Sequence, residues 1–148
     1  MVVIQNIVNC NLFNKHKLIA AVEKFMHHLK VSDSELLIRI ASVKEITSLN
    51  KKYRAKDKKT NVLAFVSDLP KEIKYNILGD IVICADVVAE EAIANDKSFT
   101  NHITHLALHG LLHLLGYDHK ADIEAEKMQE LEIALLQIVD IKNPYINL

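Results

Sequence analysis

The segment HGLLHLLGYDH, residues 109 to 119, constrains this chain more than any other stretch. On a helix turning about 100° per residue, positions four apart lie about 40° apart around the axis, so His109 and His113 present two imidazoles on one face. Gly116 follows at a point where a glycine can take the left-handed conformation that ends a helix. The exit turn through Tyr117 and Asp118 then brings His119 round as a third ligand. Three neutral imidazoles on a rigid helix and its exit turn suit one divalent transition metal, Zn2+ first, with the fourth tetrahedral position left open. An open position distinguishes a catalytic site from a structural one.

The spacing His-x-x-x-His-x-x-Gly-x-x-His is also that of the metzincin proteases, which carry Glu directly after the first histidine as general base. Here that position is Gly110. Glycine can neither take up nor hand on a proton, which disfavours peptide hydrolysis by that route. A metal-dependent hydrolase of peptides or small molecules would need its carboxylate from elsewhere, for instance Asp80 or Glu124.

A chain of 148 residues is long enough to form one domain that buries about two thirds of its unfolded surface. Half of its residues are apolar, yet no uninterrupted apolar run approaches the ~20 residues needed to span a bilayer, so we expect a soluble protein without a membrane partner. The N-terminus lacks the pattern of a secretion signal, and Cys10 and Cys84 read as reduced thiols of a cytoplasmic protein. With a net charge of −1, the molecule as a whole has no field drawing it to nucleic acid; any such attraction must be local.

The local candidate is KKYRAKDKK, Lys51 to Lys59, with six positive residues and one negative in nine. One reading is a solvated charged loop. The other is a phosphate-facing patch, in which Arg54 grips two phosphate oxygens at once and Lys51, Lys52, Lys56, Lys58 and Lys59 act as point charges.

Periodicity supplies the frame. Residues 2 to 8 read as a strand, Lys15 to Lys30 as an amphipathic helix and Glu35 to Ala41 as a second strand. Ser42 can cap the next helix, with Glu45 three residues on as its capping-box partner. Asn61 to Ser67 is nearly all apolar, which predicts a central strand. Leu78 to Cys84 is a fourth strand, and because an acidic residue beginning a buried strand costs free energy unless bonded, Asp80 is expected to have a local partner. Helices follow over Asp86 to Asn95, from Thr100 through the metal motif, and over Asp122 to Asp140. His102 and His105 extend the stripe of His109 and His113, as polar face, as support for the ligands or as RNA contacts. The pattern predicts an α/β (α+β layered) fold, with a small mixed four-stranded sheet, about five helices and the metal helix on or beside the sheet.

Three stretches in order, LNKKYRAKDKKTNVLAF from Leu49, LGDIVI from Leu78 and the histidine motif, resemble the YbeY family of bacterial endoribonucleases and rRNA maturation factors. The likeness runs from about residue 49 to Tyr145 and includes Pro144-Tyr145; the first 48 residues agree only in general pattern. It implies a single zinc-binding domain over residues 1–148 and single-strand-directed cleavage of RNA. It also implies a cytoplasmic role in 16S rRNA 3′-end maturation and ribosome quality control, with rRNA and ribosomal particles as partners, and ribosomal proteins or an assembly GTPase as further candidates. Residue by residue, His109, His113 and His119 match the family's metal ligands, and Arg54 matches its functionally required arginine. Where the family commonly has Ser-Phe-Pro, this chain has Ala64-Phe65-Val66.

The resemblance agrees with the chemistry. A phosphodiester under attack develops charge on its non-bridging oxygens, which a zinc ion and an arginine can stabilise together without the missing Glu. Arg54 and the metal-bound His109 are therefore the catalytic candidates. Whether water or the RNA 2′-hydroxyl attacks stays open. A zinc-containing ribosome-assembly factor that binds RNA without cleaving it is the first rival, and another metal-dependent hydrolase the second.

Overall fold

Runs of buried isoleucine organise the molecule. The structure, a computed structural model, describes residues 1–68, 76–117 and 121–146. Strand β1 (Val2–Asn6) pairs in parallel with β2 (Glu35–Ala41), and β2 in parallel with β4 (Ile77–Cys84); β3 (Val62–Val66) runs antiparallel to β4. The order is β1-β2-β4-β3, the mixed four-stranded sheet that the sequence predicts. Side chains alternate between the faces of a strand. Ile38, Ile40, Ile81 and Ile83 accordingly enter the main core, whereas Val82 and Cys84 enter a smaller cluster on the opposite face.

Helices α1 (Lys15–His28), α4 (Phe99–Leu114) and α5 (Asp122–Ile138) contribute to the main core, through Val22 and Phe25, Leu108 and Leu111, and Met128 and Leu135. Helix α2 (Val43–Arg54) seats Ile46 in the smaller cluster, beside Val87 of α3 (Ala85–Ala94). Two layers thus clasp the sheet, and α4 packs on β3 and β4. That helix carries the histidine motif.

The structure corrects four local expectations. The apolar segment Asn61–Ser67 holds the edge strand β3, and β2 and β4 take the central places. β3 is apolar because α4 packs against it and Leu63 enters the smaller cluster, so packing on its faces rather than central pairing accounts for the composition. Asp80 is exposed, turned to the open side by the alternation that buries Gly79 and Ile81, and needs no buried partner. Gly79 itself has φ +147°, and a Cβ there would lie 2.1 Å from the Phe65 carbonyl oxygen, so only glycine lets β3 approach β4 so closely.

The third correction is at Glu45. Ser42 Oγ accepts from the Glu45 backbone N–H at 3.1 Å as expected of a cap. The Glu45 carboxylate, however, accepts two hydrogen bonds from the Arg39 guanidinium, at 3.0 and 2.7 Å. The fourth is in α5, whose sequence reads as apolar at Ile123, Met128, Leu131, Leu135 and Ile138 and acidic at positions 122, 124, 126, 130 and 132: Ile123 is exposed, and Glu132 is buried.

Candidate active site

Helix α4 is held at both ends. Ser98 Oγ accepts from the Asn101 backbone N–H at 3.0 Å, one of the otherwise unsatisfied donors of a helix start. At the other end Gly116 has φ +96°, its N–H donates to the His113 carbonyl and that of Tyr117 to the Leu112 carbonyl, both at 3.0 Å. This pair of bonds is the Schellman arrangement that a glycine one residue past the cap allows. The helix stop read from the sequence is where the chain turns.

The first two motif histidines converge. His109 Nε2 and His113 Nε2 lie 3.1 Å apart. Two nitrogens at that distance can share a proton or a metal ion, since zinc with Zn–N bonds of about 2.0–2.1 Å in tetrahedral geometry separates its ligand nitrogens by about 3.3 Å. The donor set fits the ion, two imidazoles on one rigid helix face. His119, the expected third ligand, lies outside the described residues, as does Asp118. Among the described residues no group of three potential ligands forms.

Behind the pair sits a carboxylate that the sequence reading passed over. Glu132 of α5 is 1% exposed. Its Oε1 accepts from His109 Nδ1 at 2.6 Å and its Oε2 from His105 Nε2 at 2.9 Å, and the Tyr145 hydroxyl also donates to Oε2. Burial, the largest single influence, raises the Glu132 pKa, but the bonds from His105, His109 and Tyr145 together outweigh it and bring it down to about 2. The carboxylate is therefore anionic at neutral pH. Burial and the adjacent Glu132 charge in turn push the Tyr145 phenol up. Because Nδ1–H of His109 is donated to Glu132, its Nε2 lone pair is directed to where His113 also points, and a carboxylate behind a ligand histidine fixes the tautomer and raises its basicity.

Gly110 explains the absence of the protease-type carboxylate. A Cβ at this position would come within 2.9 Å of Ile81 Cγ2 in the core, because this side of α4 rests on β4. A side chain there requires Ile81 to shift or the helix to lift from the sheet.

A cleft of about 870 Å³ opens in front of the histidines, and its wall includes Tyr53, Arg54, Phe65, His109, His113 and Tyr117. Arg54 reaches it because α2 ends just beyond, at Ala55 in the left-handed conformation, and because Asn50 Nδ2 donates to the Lys58 carbonyl at 2.9 Å and holds the basic loop against the helix. The structure brings Arg54, His109 and His113 to one cleft. Lys51, Lys52, Lys56, Lys58 and Lys59 are all exposed and do not line it. Lys59 pairs with Glu90 at 3.0 Å and Lys51 lies 3.8 Å from Asp57. Exposed pairs of this kind contribute little and yield readily to a phosphate.

His102 and His105 stay out of the convergent pair. His102 Nε2 bonds Glu91 at 2.9 Å, and His105 Nε2 bonds Glu132, the carboxylate that also bonds His109. Of the two rival carboxylates, Asp80 is exposed on β4 and Glu124 is exposed on α5; neither lines the cleft.

A family model described as Endoribonuclease YbeY matches residues 4–140. The chain belongs to the YbeY family. A relative from Ruthia magnifica subsp. Calyptogena magnifica, itself named Endoribonuclease YbeY, is 51% identical over 145 residues, 98% of this chain and 100% of that protein. Another of the same name from Vesicomyosocius okutanii subsp. Calyptogena okutanii is 47% identical with the same coverage. Among solved structures, the solution structure of TM1509 from Thermotoga maritima is similar, with a TM-score of 0.62 and 29% identity over 94% of this chain and 89% of that one. The YbeY match extends well upstream of Leu49, over the N-terminal strand and helix where the sequence alone offers only a general pattern.

Proposed function

We propose that this protein is a zinc-dependent, single-strand-directed endoribonuclease that acts in the cytoplasm on rRNA, in 16S 3′-end maturation and ribosome quality control. The single observation that carries the reading is that Arg54 shares a cleft with His109 and His113. A phosphate clamp and a metal pair are useful together only if one phosphodiester can meet both. Membership of a family described as endoribonuclease supports the same conclusion.

His109, His113 and, by the family match, His119 would hold the ion. When bound, zinc supplies Lewis-acid stabilisation of charge developing on the phosphoryl oxygens. The chain's own groups do the rest. Glu132 holds His109 in the tautomer whose Nε2 presents its lone pair on the His113 side. Arg54 presents a planar fork to two non-bridging oxygens and orients the scissile phosphate. The exposed lysines at 51, 52, 56, 58 and 59 hold the flanking backbone by charge, a contribution that salt weakens. Ribosomal particles, with ribosomal proteins or an assembly GTPase, are the partners that such a role requires.

The test follows a labelled single-stranded RNA resembling the 16S 3′ end, incubated with native, chelated and zinc-restored protein and with His113→Ala and Arg54→Ala taken through the same purification. Cleavage that vanishes on chelation, returns with zinc, is absent from His113→Ala and is slowed at least about 100-fold in Arg54→Ala is the expected result. Equal cleavage by every sample would mean a contaminant, and tight binding without products would replace the nuclease by an assembly factor. Product ends identify the nucleophile, since a 2′,3′-cyclic phosphate would sink direct attack by water.

A further inference from the structure

Tyr53 is a large aromatic residue on the cleft wall that neither the core nor the histidine cluster uses. It lies in the last turn of α2, directly before Arg54, and is 57% exposed. Its ring meets Phe65 of the edge strand β3 with centroids 5.0 Å apart and planes at 61°, so its tilt is set by a second aromatic on the same wall. The Lys52 ammonium lies 5.1 Å from the ring centroid. Isolated exposed apolar side chains are ordinary on protein surfaces. This one is braced, flanked by cations and placed in the cleft that holds Arg54 and the two imidazoles.

We infer that Tyr53, braced by Phe65, is a stacking platform for the nucleobase next to the phosphodiester that Arg54 holds. The inference rests on the endoribonuclease reading above and names the part of the substrate that reading leaves unassigned. Neighbouring helix positions diverge by about 100°, so residues 53 and 54 can offer a ring and a guanidinium to the base and the phosphate of one stretch of backbone. Every base has a π face, which makes the contact tolerant of sequence. The face is free only when the base is unstacked from its neighbours, as in loops, bulges and single-stranded ends. A platform at this position therefore selects single strands without reading base edges. An exposed ammonium over a ring is a weaker contact than a stacked base, so Lys52 gives way and remains close to the backbone phosphates.

The experiment compares the full-length protein with Tyr53→Phe, Tyr53→Leu and Tyr53→Ala. Binding to a labelled single-stranded RNA and to a hairpin duplex of equal length is followed by fluorescence anisotropy in chelator, and KM and kcat are measured on the single strand with zinc restored. We expect Leu and Ala to weaken single-strand binding by about tenfold and to raise KM in proportion, with Phe within about twofold of the native protein and the duplex unaffected. The slope of affinity against salt should stay unchanged, since no phosphate contact is lost. Native affinity and KM in Tyr53→Leu would overturn the stacking role and leave the nuclease standing. Equal losses on single strand and duplex would also overturn it, showing that the ring only supports the cleft wall. Failure of the native protein to bind or cleave single-stranded RNA would instead remove the endoribonuclease reading itself, and the stacking role with it.

Discussion

His109 Nδ1 lies 2.6 Å from Glu132 Oε1, and the same carboxylate takes hydrogen bonds from His105 and Tyr145. One buried anion on α5 thus orients a candidate metal ligand on α4 and ties the segment after α5 to the site; Lys97 adds a bond to the Pro144 carbonyl at 3.1 Å. Replacing Glu132 by Gln keeps the shape but removes the charge and turns one acceptor into a donor. We expect Glu132→Gln to lower zinc affinity by about 10- to 100-fold, read by competition with a chromophoric chelator. Tyr145→Phe removes one donor and should cost less. Native zinc affinity in Glu132→Gln would show that the carboxylate does not tune the ligand.

Arg54 allows charge and geometry to be separated. Arg54→Ala should slow cleavage by about 10²- to 10³-fold, as removal of one preorganised donor to a developing oxyanion does elsewhere. Arg54→Lys retains the charge but not the fork, and should fall between that and the native rate in single-turnover assays. If Lys restored full activity, Arg54 would act as a point charge only.

The residues that were legible in the sequence are those whose role is local. Hydrophobic period and turn residues predicted the elements of the described residues in order, and Ser42 and Gly116 bound helices through bonds spanning at most five residues, whereas the cap at Ser98, just before the expected start at Thr100, was not read. The pairing of His109 with His113 follows from helix pitch alone. Glu132 was not found because its histidine partners are 23 and 27 residues away on another helix, and Tyr145 is 13 residues away beyond the end of its own. A signal was there: it falls four residues after Met128 and three before Leu135, on the buried stripe of α5, where an acidic side chain needs a partner. The edge position of β3 was illegible for the same reason. Its composition reflects contacts with α4 and, through Leu63, with the smaller cluster, and cannot report which strand lies beside it. That Arg54 and the histidines share a cleft depends on α2, β3 and α4 packing together, a relation no spacing encodes.

Gly110 sits at the contact between α4 and β4, where an added Cβ would lie 2.9 Å from Ile81 Cγ2 and 3.1 Å from two further atoms of the same buried side chain. Alanine would gain about 1 kcal/mol in helix propensity. Overpacking a well-filled core costs about 1–3 kcal/mol, and here it also displaces the helix that carries His109 and His113. Gly110→Ala should therefore be destabilised by up to about 2 kcal/mol in urea unfolding and should bind zinc more weakly. An alanine variant more stable than the native protein, with unchanged zinc binding, would show that the helix has room.

Arg39 on β2 joins Glu45 on α2 through two hydrogen bonds and reaches Gln5 on β1 at 3.3 Å. The bond from Arg39 lowers the Glu45 pKa below its ordinary value of 4.5, with burial opposing and charge attraction assisting. A carboxyl whose pKa is lower in the folded than in the unfolded chain contributes stability above the unfolded value, and that contribution is lost as pH falls through the folded one. Both side chains are about one third exposed, so the pair is worth about 0.5–1 kcal/mol at neutral pH. A double-mutant cycle of Arg39→Gln and Glu45→Gln should yield a coupling of that size at pH 7 that shrinks on acidification below about pH 4.5. The native chain should correspondingly lose more stability than Glu45→Gln between about pH 6 and pH 3. A coupling that stayed constant over that range would mean that the Glu45 charge does not stabilise the fold.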